Sequence, residues 1–319
     1  MNSISNNQEC IIVTHSTRAH LGLVVAIILW GSSFIALKVV VNDMPAMIVV
    51  FLRMLVASVT FLVLWVWFRP KISYQAGDWK YFLGMAIFEP CLYFLFEAKA
   101  LQYTSAGQAG MVTALLPLMV AVAAFLLFKE RNTIKQWLGF MVALAGVLWM
   151  SLSTVDSDQA PNALLGNFLE FMAMVTAVGY TLFVKHLVTR YNPFVVTAVQ
   201  SFAGAIFFFP LAMMSDWPAQ ISFSSIANIV YLGLVITLGA YGLYNFALQH
   251  LKTSTAAIYI NFLPVTTLIF SMMLLNEQLV MQQWLAIGVI FVGVWLSREP
   301  KHSGKKDAPE DGIPPAVTG

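Results

Sequence analysis

The chain repeats itself at a constant offset. Leu101-Gln102, Leu116-Pro117, Glu130 and Gln136-Trp137-Leu138 recur as Leu248-Gln249, Leu263-Pro264, Glu277 and Gln283-Trp284-Leu285, each 147 residues downstream in a chain of 319. Solenoid units run roughly 20–50 residues, so this period is far too long for one. The chain is a duplicated unit, and its fold must be buildable from two similar halves.

Hydrophobic residues make up 59% of the chain and charged residues only 10%. A soluble domain carries roughly 25% charged residues, so the composition is that of an integral membrane protein. Apolar runs long enough to cross a bilayer, about 18–25 residues, occur near 20–41, 45–68, 81–100, 105–128, 136–153, 164–188, 193–214, 225–249, 254–275 and 280–297. The predicted fold is therefore all-α, with ten transmembrane helices in two five-helix repeats, 18–155 and 160–298. Residues 1–17 are polar, without the apolar core of a signal peptide. They and residues 299–319, rich in Lys, Asp, Pro and Gly, read as disordered tails.

Five is an odd number, so the second repeat enters the membrane from the side opposite to the first. Positive charge collects in cytoplasmic loops. Lys129, Arg131 and Lys135 of the first repeat become Asn276, Gln278 and Gln282, while Asp43 and Ser105 become Arg190 and Lys252. Equivalent positions thus exchange charge, as inverted copies require. With both termini cytoplasmic, all but Lys38, Arg53 and Lys99 of the seventeen Lys and Arg fall on the inner side. A multi-pass protein of a bacterial inner membrane is expected. All tryptophans except Trp30 lie near span ends, as interfacial residues do.

Several stretches form an ordered pattern: Trp30-Gly31-Ser32-Ser33-Phe34 with Lys38, Leu52-Arg53, Ala100-Leu101-Gln102-Tyr103-Thr104-Ser105-Ala106-Gly107, Leu116-Pro117-Leu118, Lys129-Glu130, and Gln136-Trp137-Leu138-Gly139 followed by Gly146-Val147. Ala247-Leu248, Leu263-Pro264-Val265, Asn276-Glu277 and Gly293-Val294 continue it in the second copy. Over residues 20–298 the chain resembles the ten-helix, EamA-type branch of the drug/metabolite transporter superfamily. The resemblance implies inverted five-helix repeats and alternating access around a central cavity, mostly in export of small metabolites such as amino acids. The small four-helix multidrug members carry a membrane glutamate in their first helix. The first span here has none, so their proton-exchange scheme does not transfer.

An ionisable side chain in mid-membrane marks a functional site by default. Arg53 lies about 12 Å into the second span at about 1.5 Å per residue. It suits a substrate carboxylate or a structural ion pair, and the equivalent residue of the second copy is Gln200. Glu89 is followed by Pro90, which kinks a helix. Glu89 suits an ammonium, a coupling proton or Arg53 itself. Glu89, Tyr93 and Glu97 share a helical face, as do Trp30, Phe34 and Lys38. Trp30, Phe34, Arg53, Glu89, Tyr93, Gln200, Tyr241 and Tyr259 are the expected substrate-binding residues. Glu97, Lys38 and Lys99, near outer span ends, are expected to snorkel. Pro90, Pro117 and Pro264 are the expected hinges.

Tyr244, Asn245, Asn261, Glu170 and Tyr180 are other polar groups in spans, suited to hydrogen bonds between helices. Gly139 with Gly146, and Ala286 with Gly293, present small faces that allow close helix approach or a dimer surface. Glu130 and Glu277 end equivalent spans and suit backbone donors. The basic residues form no patch, so no nucleic acid is expected. No phosphate-cradling loop implies an ATPase, and no metal-ligand cluster or cofactor is expected. There is no catalytic cluster and no loop large enough to build one, so an enzyme is not expected. Channel filters and charge rings are missing too. The expected partners are a small-molecule substrate and the bilayer, for a monomer or homodimer. The leading reading is a secondary or facilitative carrier of a small metabolite such as an amino acid, the alternative an exporter of cationic drugs or nucleoside-like metabolites.

Overall fold

The computed structural model describes residues 2–70, 73–128, 133–154, 157, 159–251 and 253–297, with side chains from Thr17 onward except at 68, 124, 127, 128, 253, 254, 257 and 258. Glu130, with Lys71, Lys129, Arg131, Lys252, Arg298 and the C-terminal stretch, lies outside the described residues. Ten helical spans follow the predicted order: α1 (Asn2–Asp43), α2 (Ala46–Phe68), α3 (Trp79–Tyr103), α4 (106–128), α5 (Ile134–Leu152), α6 (Ala163–Val188), α7 (Pro193–Met213), α8 (Phe223–His250), α9 (253–274) and α10 (Met281–Leu296). Eight of these spans are long and apolar enough to cross a membrane, and Leu263–Leu274 and Met281–Leu296 are shorter apolar helices. The protein is an all-α, ten-helix membrane protein.

α1 begins at Asn2, inside the stretch that reads as a disordered tail. Residues 2–17 contain neither proline nor glycine, so no breaker stops the helix upstream of its apolar part.

Four of the described spans depart from regular α-helix. In α3 a π-type turn covers Ile87–Leu92, and Glu89 has extended backbone at φ −151° and ψ 118°. Pro90 lacks the N–H that a regular helix would use here. In α4 the turn before Pro117 tightens to a 3-10 turn at Thr113–Leu115. α9 breaks after Ile260 and restarts at Leu263, with Pro264 in its first turn. A second π-type stretch, Leu232–Ala240, lies in α8, at the position equivalent to the turn in α3.

The duplication is visible in the contacts. Lys38 Nζ donates to the carbonyls of Leu101 and Thr104 at 2.6 and 3.0 Å. Lys185 Nζ donates to those of Leu248 and Leu251 at 2.5 and 3.1 Å. Every one of these residues is offset from its counterpart by 147. Each lysine satisfies carbonyls that a helix C-terminus leaves unpaired, at the end of α3 in one case and of α8 in the other. α2 packs on α7 and α5 on α10, while α3 with α6 mirrors α8 with α1.

The α5–α10 contact uses the small residues. A side chain on Gly139 would meet the Gly293 carbonyl at 2.6 Å, and one on Gly293 would strike the Ala143 backbone. Backbones this close require residues without bulk. The small faces are consumed between two helices of one chain.

Polar contacts tie the helix ends at both faces of the bundle. At one face Asp78 accepts from Arg190 and from the Tyr191 hydroxyl, both at 2.9 Å. At the other, Asp43 accepts from Ser225 at 2.5 Å and Ser222 at 3.1 Å. There too Glu277 accepts from the backbone N–H groups of Ala106 and Gly107 at 2.9 and 3.0 Å. A carboxylate at the first turn of α4 satisfies free donors and meets the positive end of the helix dipole.

Candidate functional site: a central acidic and aromatic cavity

A cavity lies in the middle of the bundle. α1 contributes Trp30, Ser33 and Phe34, α2 Arg53, α3 Glu89, Tyr93 and Glu97, α6 Tyr180 and Thr181, and α8 Tyr241 and Tyr244. It leaves about 60 Å³ free for the centres of water molecules, which is room for roughly four to six waters at about 10–15 Å³ each.

The kink in α3 builds one wall. Extended backbone at Glu89 breaks the regular helix, and Glu89, Tyr93 and Glu97 all face inward at 3%, 9% and 4% exposure. Glu89 and Tyr241 face the same cavity. The Tyr93 hydroxyl donates to Glu97 Oε1 at 2.9 Å.

Arg53 is held on three sides. Its Nε donates to Thr237 Oγ1 at 3.0 Å. Its NH1 lies 4.0 Å from Glu97 Oε2, and its guanidinium carbon stands 4.3 Å from the centre of the Phe94 ring. A guanidinium stacked on a ring is stabilised by the ring's negative face. Thr237 passes its own proton to the Leu232 carbonyl at 2.9 Å, a carbonyl of the π-type stretch in α8.

Trp30 forms the aromatic wall. Its ring centre is 5.1 Å from that of Tyr241 and 5.0 Å from that of Tyr244, within the range for favourable ring pairs. The indole N–H is buried and has no hydrogen-bond acceptor among the described residues.

The structure thus brings Trp30, Phe34, Arg53, Glu89, Tyr93 and Tyr241 to one cavity. Gln200 and Tyr259 stand elsewhere. Gln200 receives the Tyr180 hydroxyl at 3.5 Å behind the cavity wall, and Tyr259 bonds His20 at 2.9 Å. Glu97 and Lys38 do not snorkel: they are 4% and 1% exposed, because α6 and the C-terminal end of α3 cover them. Glu97, Ser33, Tyr180, Thr181 and Tyr244 join the cavity. Glu97 is legible as the third member of the Glu89–Tyr93 face, and Tyr244 as one turn beyond Tyr241. Pro90 lies at the α3 kink, Pro117 just after the tightened turn of α4, and Pro264 just after the break in α9.

Ten apolar helices around a buried cavity with charged and aromatic walls define a membrane transporter. The EamA-like transporter family matches the chain twice, over residues 17–152 and 164–298, and the protein belongs to that family. It is 25% identical to the uncharacterized transporter YetK of Bacillus subtilis, over 90% of this chain and 88% of that one. An uncharacterized transporter of Archaeoglobus fulgidus is 26% identical over 90% and 99% of the two chains. A solved crystal structure shares the fold at a TM-score of 0.62 and 19% identity, covering 88% of this chain and 97% of that one.

Proposed function

We propose that the protein is an alternating-access carrier that exports a small amine-bearing metabolite, an amino acid in its most concrete form. The membrane is a bacterial inner membrane, with both termini on the cytoplasmic side. The charge balance of the cavity supports this reading. Glu89 and Glu97 face one Arg53, and Arg53 already has Thr237, Glu97 and Phe94 as partners. Glu89 is the group left to receive an ammonium. The Trp30 N–H and Arg53 are the donors for an oxygen at the other end of the solute. The rings of Trp30, Phe34, Tyr93, Tyr241 and Tyr244 would contact its organic body. The halves would rock about this site and expose it to each side in turn, with Pro90, Pro117 and Pro264 at the places where helices bend.

The excess of carboxylates favours a second reading, a carrier of cationic drugs or nucleoside-like metabolites bound through Glu89 and the aromatic walls. Flux into proteoliposomes tests both. The proposal expects saturable uptake with counterflow for a member of a labelled amino-acid panel. Arg53→Ala transporting as well as the parent removes the carboxylate clamp. Glu89→Gln abolishes movement of a cation but only weakens that of a zwitterion. Flux that never saturates overturns the carrier altogether.

A further inference from the structure

Glu170 of α6 is 0% exposed, and neither of its carboxyl oxygens has a hydrogen-bond partner among the described residues. It lies seven residues from the start of α6 at Ala163, about 10 Å deep at about 1.5 Å per residue. Glu97 is six residues from the end of α3 at Tyr103, at about 9 Å by the same measure. The two helices pack together, which sets the two carboxyl groups at similar depth on neighbouring helices. Glu97 Oε2, turned away from the Tyr93 hydroxyl, also lacks a hydrogen bond.

Polar side chains lead from one face of the bundle to this pair. A vestibule of about 200 Å³ is lined by Ser105, Gln108, Thr154, Gln159, Glu277 and Gln283. Gln283 donates to Thr154 at 3.0 Å, and Thr154 to Gln108 Oε1 at 3.2 Å. Asn167, one helical turn from Glu170, donates to the same Gln108 oxygen at 3.0 Å and to Ser151 at 2.8 Å. It accepts from Thr104 at 2.8 Å. On the far side, Glu97 lines the central cavity. Glu170 therefore stands between a polar vestibule and the cavity, and nothing in the proposed solute site uses it.

Two neighbouring carboxylates in a dry site do not both stay charged when only one of them has a guanidinium beside it. Arg53 is beside Glu97, which assigns the charged member of the pair. Among the described residues, Tyr93 and Glu89, both also of α3, are further titratable groups facing the pair, Tyr93 beside both carboxyls and Glu89 on the Glu97 side. α4 and α5 meet the neighbouring turn of α6 through neutral Gln108 and Ser151. α7 and α8 meet α6 through Gln200, Asn245 and the Leu248 carbonyl, and the latter takes Lys185 at the opposite end of the helix. His186 and Arg190, with Asp78 of α3, are at that opposite end too.

The geometry points to Glu170 and Glu97 as a proton-binding site that adjoins the solute site, with Glu97 on the cavity wall and Glu170 behind it, through which the carrier exchanges protons for solute. Glu170 takes a proton from the vestibule, forming one O–H bond and losing its charge. Passing that proton to Glu97 breaks this O–H bond, forms another, and leaves Glu170 as the carboxylate. Glu97 then gives the proton to water in the central cavity when the cavity faces the other side. One proton moves inward for each solute exported. The exchange step rests on the carrier proposed above; proton binding at the pair does not.

The test needs no solute. Infrared difference spectra of the full-length chain in lipid nanodiscs are recorded between acid and alkaline pH. The expected result is a protonated-carboxyl C=O band that vanishes on raising pH. It should be missing in Glu170→Gln and displaced in Glu97→Gln. A band unchanged in Glu170→Gln, or one that ignores pH, overturns the proposal. So does loss of the band on adding sodium at constant pH, which would assign the pair to a metal cation. If Glu170→Gln does not fold, the parent's response to pH and sodium, with Glu97→Gln, decides. A normal spectrum beside failed flux counts against the solute reading alone.

Discussion

Arg190 bonds Asp78 at 2.9 Å at one face of the bundle, and the residues 147 positions away from each, Asp43 and Ser225, bond at 2.5 Å at the other. The duplication has kept the contact and changed its chemistry. One latch is an ion pair with a half-exposed arginine, reinforced by Tyr191 and by the bond from Arg190 to Gln75 at 2.9 Å. The other is a carboxylate held by two hydroxyls. In an alternating-access cycle the faces open in turn, so each latch must break once per cycle.

Breaking the Asp78 latch should therefore favour opening at that face. Arg190 is 38% exposed along its side chain, so the pair contributes no more than about 1 kcal/mol and weakens in salt. Asp78→Ala should cost more, about 1–3 kcal/mol, since it strips the acceptor from the buried end of the cluster. Buried Cys91, in the α3 kink, reports on it. In a Cys10→Ser background, Asp78→Ala should speed alkylation of Cys91 and Asp43→Asn should not.

The paired lysines give a second comparison. Lys38→Met leaves the Leu101 and Thr104 carbonyls without a donor in a place with no exposure, at a cost of about 1–3 kcal/mol. Lys185→Met leaves the equivalent carbonyls where the side chain is only half-buried, so water can replace the donor. Thermal unfolding in detergent should show the larger loss for Lys38→Met. Equal losses would mean that the second site is as dry as the first.

These two latches show where sequence reasoning stops. The ten spans follow from hydropathy, and their ends agree with the helices within a few residues except at the start of α1, which begins at Asn2 rather than near residue 20. Arg53 and Glu89 are legible because a charge has no reason to face lipid, and Trp30, Phe34 and Tyr93 because each shares a helical face with a charged residue; Tyr241 is legible only as a polar hydroxyl within a span. Depth along one helix, however, says nothing of what crosses it. Lys38 and Glu97 read as residues that reach for the interface, and only the packing of α3 with α1 and α6 buries them. Gln200 and Tyr259 do not line this cavity, for a related reason: polarity places a residue away from lipid without saying which interior surface it faces. Glu170 is visible as a lone carboxylate in a span, but its pairing with Glu97 is a long-range contact that no spacing encodes.

The α5–α10 seam should tolerate no bulk. Gly293→Leu drives a side chain into the Ala143 backbone, and overpacking of this kind costs about 1–3 kcal/mol or more. The expected result is a lower melting temperature and less monodisperse protein on gel filtration. Gly288→Leu, on the same helix but with open space around it, is the control and should behave as the parent. If both variants behave alike, the seam is looser than this contact implies.

Trp30→Phe separates a binding role from a packing role at the cavity. The phenyl ring keeps much of the contact with Tyr241 and Tyr244, and the lost N–H has no acceptor among the described residues. Stability should therefore change little. A solute oxygen that accepts from that N–H would lose a hydrogen bond of about 0.5–1.5 kcal/mol, or up to about 3 kcal/mol if it is a carboxylate. At about 1.4 kcal/mol per factor of ten, KM for flux into proteoliposomes should rise about tenfold while the melting temperature stays put. A fall in melting temperature with unchanged KM would assign the indole to packing and leave Arg53 as the donor for the solute's oxygen.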